Sequence, residues 1–178
     1  MDAKDAIKAQ FLSEYMKRDF SQISVKGLCA AAPVARTTFY AYFSNTDDVR
    51  ALIEDEIISG LEAVTASASN GSLPDMRFDL FMDAVEAYIK ENWTAIHAFL
   101  VVQPNLRFIR KWKDNIILHF GERYPDKKRT PHFEAVAEVM ASSMISAYTF
   151  WMEHPEQVST REIKPMIHQV LDTLVKVL

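Results

Sequence analysis

Residues 24 to 43 read SVKGLCAAAPVARTTFYAYF, two stretches of helix-forming length that a proline forces apart. Ser24 is placed to cap the first stretch by taking an orphaned backbone N–H, and Val25, Leu28 and Cys29 follow on one face. The Pro33 ring disfavours helical geometry at Ala32, so the first segment must end there and a second, Val34 to Tyr42, starts at an angle to it. Val34, Phe39 and Phe43 are expected to pack back on the first segment. That leaves Arg36, Thr37, Thr38, Tyr40 and Tyr42 pointing outward, hydrogen-bonding side chains of the right reach for bases and phosphates. A helix of this size fits the DNA major groove, although short exposed helices of this composition also occur on proteins that bind no DNA.

The wider stretch is more specific. Phe20, Ser24, Val25, Leu28, Cys29-Ala30-Ala31, Val34, Thr38, Phe39-Tyr40 and Tyr42-Phe43, followed by Asp47-Asp48-Val49, resemble the amino-terminal signature of the TetR (tetracycline-repressor) family of transcription regulators. The match spans roughly residues 5 to 55. The resemblance implies an all-α dimer with a helix-turn-helix head and a variable effector-binding body. Two positions depart from the family pattern. Pro33 stands where a turn glycine is usual, and Thr46 stands where a phosphate-gripping lysine is usual.

Charge distribution agrees with a DNA-facing head only weakly. Through Asn45 the chain has six basic and four acidic residues, a balance of +2, while the whole chain carries −4. The body is therefore acidic, and any DNA binding should weaken steeply with salt. An apolar fraction of 49% excludes general disorder, and four glycines fit a helical chain with short connections. No apolar run approaches the roughly 18 to 20 residues a membrane span requires, and the charged start differs from a secretory signal, so a cytoplasmic location is expected. The lone cysteine, Cys29, reads as a small core residue rather than a redox sensor.

Around the central motif the periodicity is helical throughout. Ala3 to Met16 carries Ile7, Phe11, Leu12 and Tyr15 on one stripe. Asn45 or Thr46 caps a helix running to about Ala68, expected to link head to body, and Ser67 to Pro74 reads as a loop. Helices follow over Asp75 to Glu91, from an Asn92 cap through Val101, and over Leu106 to Phe120. The charged stretch Gly121 to Arg129 reads as a loop. Thr130-Pro131 opens a helix to about Glu153, and a Ser159/Glu162 capping box opens the last one, which runs to Leu178. On this reading residues 1–46 form the DNA-binding head and 47–178 the ligand-binding and dimerisation body.

Within the body, Trp93, Phe108, Trp112, Met144, Tyr148 and Trp151 are candidates to line a pocket for an apolar or aromatic effector, although core packing is the commoner explanation for any one of them, and His97 is either a satisfied core histidine or the pocket's orienting polar group. Ile163, Ile167, Val170, Leu171 and Leu174 form an apolar stripe too exposed for a monomer. It is expected to pair with a second copy in a four-helix bundle, helped by the small residues Ala141, Ser142, Ser143, Ser146 and Ala147. The five histidines lack zinc-motif spacing and a cysteine pair, and no phosphate loop or nucleophile elbow occurs, so neither enzymatic activity nor any metal or cofactor is expected. The expected function is a dimeric, ligand-responsive regulator, a repressor by the family's commonest role. It binds a near-palindromic operator in double-stranded DNA, with Arg36 and Thr37 on base edges and Ser24, Thr38, Tyr40, Tyr42 and Thr46 on phosphates. The alternative is an adaptor of the same fold that binds a protein instead of DNA.

Overall fold

Capping chemistry sets most of the helix boundaries. In a computed structural model describing residues 2–68, 78–127 and 130–178, Asp2 accepts from the Asp5 N–H at 2.8 Å to open α1 (Ala3–Tyr15). A 3-10 turn, Phe20–Gln22, follows. The Ser24 hydroxyl accepts from the Gly27 N–H at 3.1 Å and opens α2 (Val25–Ala31), as the sequence predicts. Pro33 then ends that segment, with φ at 24°. A pyrrolidine ring holds φ near about −65°, so this turn imposes on proline a left-handed backbone suited to glycine.

α3 is shorter than predicted. It spans Arg36–Tyr42, because Ala35 keeps an extended conformation as N-cap and Val34 is used in the turn, its N–H donating to the Cys29 carbonyl. The long helix α4 (Thr46–Ala68) is capped by Asn45, whose Oδ1 accepts from Asp47 and Asp48 N–H groups at 2.7 and 3.0 Å. Asp48 reciprocates by accepting from the Ser44 N–H.

Residues 69–74 of the predicted loop, the predicted helix start at 75–77, and 128–129 lie outside the described residues. From Phe78 onward the elements are α5 (Phe78–Glu91), α6 (Trp93–His97), a π-helical turn over Ala98–Val102, α7 (Leu106–Arg123), α8 (Pro131–Glu153) and α9 (Thr160–Val175). Asn92 closes α5 by donating to the Tyr88 carbonyl. The predicted helix from Asn92 through Val101 is thus divided, with its second half in π geometry. Asn105 caps α7 through the Arg107 and Phe108 N–H groups, Thr130 caps α8, and the Ser159/Glu162 box caps α9, which stops at Val175 rather than Leu178. No strand occurs among the described residues.

The chain divides into two units. One comprises Met1–Ile57 with Trp93–Pro104, the other Ile58–Asn92 with Asn105–Leu178. The first is built on Ile7, Phe11, Leu28, Phe39, Val49, Ile96 and Phe99, all almost fully buried, and Cys29 joins them as expected. Gln103 ties this unit together. Its Oε1 accepts from the Phe20 N–H at 3.0 Å, while its Nε2 donates to the Tyr15 and Arg18 carbonyls at 2.5 and 2.7 Å. The second unit is built on Met82, Ile89, Phe108, Phe133, Ala137, Tyr148, Ile163 and Ile167. There Glu86 of α5 meets Lys164 and Thr160 of α9, and Lys113 of α7 meets Glu138 of α8. Tyr88 packs so closely on Gly60 that a Cβ there would overlap the ring.

Candidate functional site

The helix-turn-helix presents α3 as predicted. Phe39 is fully buried and Phe43 nearly so, and this orients the opposite face outward: Arg36 and Thr37 are exposed, and Tyr40 and Tyr42 are each 52% exposed. Thr38 and Thr46 are half-buried, and Ser24, although exposed, already accepts the Gly27 N–H. Among the described residues Arg36 and Lys26 make no ion pair. Three other basic groups of this unit are held by carboxylates: Lys8 by Asp5 and Glu56, Arg18 by Glu14, and Arg50 by Asp47. The Arg50 guanidinium also lies 3.7 Å over the Phe20 ring.

The second unit contains a cavity of about 390 Å³. Its apolar wall includes Leu61, Phe81, Trp112, Met140, Met144 and Tyr148. Trp112 and Tyr148 lie nearly parallel, with ring centroids 6.1 Å apart. Burial, reinforced by the Glu86 carboxylate, pushes the Tyr148 phenol above its ordinary range, so it stays protonated and donates to the Met82 sulfur. Three predicted pocket residues, Trp112, Met144 and Tyr148, are therefore brought together. Phe108 and Trp151 stand one layer back, packed against Trp112 and Tyr148 respectively. Trp93 and His97 do not line the cavity; they stack on each other at 5.8 Å in the other unit.

Polar side chains lining the cavity include Thr65, Asn115, His119, Glu122, His168 and Asp172. Asn115 and His119 are four residues apart on α7, hence on one face with Trp112. Their Nδ2 and Nε2 atoms are buried without a hydrogen-bond partner among the described residues. Neither is among the pocket residues expected from the sequence, although the spacing 112, 115, 116, 119, 120 places both on one helical face with Trp112. Among the described residues no cluster of three or more side chains is suited to a metal ion, and no helix is long and apolar enough to cross a membrane.

Of the expected dimer residues, Ile163 and Ile167 are buried in their own unit, Leu171 faces the cavity, Leu174 is half-buried and Val170 is exposed. The large apolar side chains exposed in this unit are Leu80, Leu106 and Leu118, Val139 and Phe150 of α8, and Met166, Val170 and Val177 in and after α9.

No protein-family model matches the chain, and no curated protein matches it in sequence. Solved structures do match. A TetR-family transcriptional regulator from Streptomyces coelicolor is 14% identical with a TM-score of 0.70, covering 98% of this chain and 81% of that one. A TetR transcriptional regulator from Streptococcus agalactiae is 18% identical with a TM-score of 0.65, covering 98% and 92%. The regulator FadR from Bacillus subtilis, in complex with stearoyl-CoA, is 14% identical with a TM-score of 0.67, covering 98% of each. The chain thus has the all-α fold of TetR-family transcriptional regulators.

Proposed function

We propose that the protein is a ligand-responsive DNA-binding transcriptional regulator, acting as a repressor on a near-palindromic operator. The observation that carries this reading is the pairing of an outward-facing α3 in one unit with a largely apolar cavity in the other. Arg36 and Thr37 reach base edges, while Tyr40, Tyr42, Thr38, Thr46 and Ser24 hold the backbone. The Bacillus subtilis FadR was solved with a fatty acyl-CoA, and the apolar lining here agrees with an effector that has an apolar body. Effector binding shifts the population toward a form with weaker DNA affinity, so the effector must bind free and DNA-bound protein unequally.

Two copies are expected to pair through one face of α8 and α9. Val139, Ser143, Ser146 and Phe150 share one side of α8, and Met166 and Val170 share one side of α9, with Val177 following the same spacing. The carboxylate partners of Lys8, Arg18 and Arg50 favour a second reading, a protein-binding adaptor of the same fold. Fluorescence anisotropy of labelled DNA from upstream of the protein's own gene, at low and high salt, decides between them. Salt-sensitive binding that Arg36→Ala weakens is the expected result. Absence of binding by the wild type overturns the regulator in favour of the adaptor.

A further inference from the structure

We infer that the cavity takes an uncharged, largely apolar molecule carrying a hydroxyl group, which Asn115 and His119 read together. This rests on the cavity being the effector site and adds the chemistry of its ligand. Asn115 is 6% exposed, and its Nδ2 is a buried donor without a partner among the described residues. Such a group costs free energy unless something bound beside it accepts its hydrogen. His119 Nδ1 lies 3.1 Å from Glu122 Oε2. A carboxylate only accepts, so the ring proton is assigned to Nδ1, which leaves Nε2, buried and without a partner among the described residues, as the acceptor. One turn apart on α7, the two residues offer one donor and one acceptor.

A hydroxyl satisfies both at once, its oxygen accepting from Asn115 and its hydrogen donated to His119. An ether or ester satisfies only Asn115. A carboxylate or phosphate is disfavoured by charge, because the described residues lining the cavity include Glu122 and Asp172 and no lysine or arginine. For the same reason the described lining offers no cationic counterpart for the anionic head of an acyl-CoA. The aromatic and thioether wall formed by Trp112, Tyr148, Met140 and Met144 accommodates the apolar remainder.

The test titrates the full chain with para-tert-butylphenol, para-tert-butylanisole and para-tert-butylbenzoate, which share a body and differ in the polar group, following tryptophan emission and calorimetric heat. The phenol is expected to bind about tenfold or more tighter than the other two, and Asn115→Leu to remove that preference while the apolar body still binds. Equal binding of all three by the wild type, or preference for the benzoate, overturns the hydroxyl assignment and leaves the cavity as a binding site. No binding of any probe at millimolar concentration overturns both. The wild-type comparison is decisive even if the variant fails to fold.

Discussion

Gln103 makes more bonds than its half-buried position suggests, and its removal tests how the first unit is held. Its side chain accepts one backbone N–H, from Phe20, and donates to two carbonyls, of Tyr15 and Arg18. With a net contribution near the lower end of the 0.5–1.5 kcal/mol range for each bond, since the site is partly solvated, Gln103→Ala should cost about 2 kcal/mol. Gln103→Glu is the sharper perturbation. It keeps an acceptor for Phe20 but places a carboxylate oxygen where Nε2 stood, 2.5 and 2.7 Å from two carbonyl oxygens. At neutral pH it should therefore be at least as damaging as alanine. Those oxygens raise the folded-state pKa of the new carboxyl, so its penalty is greatest above that pKa and shrinks on acidification, when a protonated carboxyl regains one donor. Amide exchange at Phe20 with urea unfolding measures both effects. A 2 kcal/mol loss is roughly a thirtyfold faster exchange where opening is local. Wild-type exchange at Phe20 in Gln103→Ala, or a glutamate variant more stable than the alanine one at neutral pH, would refute the reasoning.

Three further outcomes are expected. Burial raises the pKa of Glu86, but hydrogen bonds from Lys164, Lys90 and Thr160 outweigh it and hold the carboxyl at about 2, against 4.5 ordinarily. Its folded pKa is depressed, so its contribution is present above about 4.5 and lost as pH falls toward 2. Acid titration of wild type against Glu86→Gln should show a difference of at most about 3 kcal/mol that vanishes across that window, and a difference unchanged by pH would sink the idea. Gly60→Ala gains about 1 kcal/mol of helix propensity but meets the Tyr88 ring, so it should lower the melting temperature, whereas in a Tyr88→Ala background the same change should raise it. Pro33→Gly should stabilise the protein by about 1 kcal/mol, the strain relieved exceeding the backbone entropy added; a lower melting temperature in the variant would argue against a strained turn.

What was legible in the sequence was local. Ser24, Thr130-Pro131 and the Ser159/Glu162 box announce helix starts because the cap and the N–H it satisfies lie within three residues of each other. The outward set on α3 follows from Phe39 and Phe43 being the residues that must be covered. The less legible features depend on partners distant in sequence. Trp93 and His97 carry the same aromatic signal as Trp112, but which unit a segment joins is decided by contacts such as those of Gln103 with residues more than eighty positions away. Asn115 and His119 were passed over for a different reason: on an apolar stripe, polar residues read as its edge until a cavity is seen between the helices they face. The burial of Ile163 and Ile167 likewise depends on α5 and α8 lying over a stripe that, taken alone, is simply apolar.

The π-helical turn at Ala98–Val102 has a consequence for the register of everything after it. An α-helix advances about 100° per residue, and a turn closed from residue i to i+5 absorbs one more residue than an α-turn does. Gln103, whose N–H closes that turn on the Ala98 carbonyl, would be rotated by about that angle if the segment were wholly α-helical, away from Tyr15, Arg18 and Phe20. A one-codon deletion anywhere in this stretch is thus a phase error rather than a loss of helix: the segment remains helical, and the damage appears some eighty residues earlier, where the end of α1 loses its clasp.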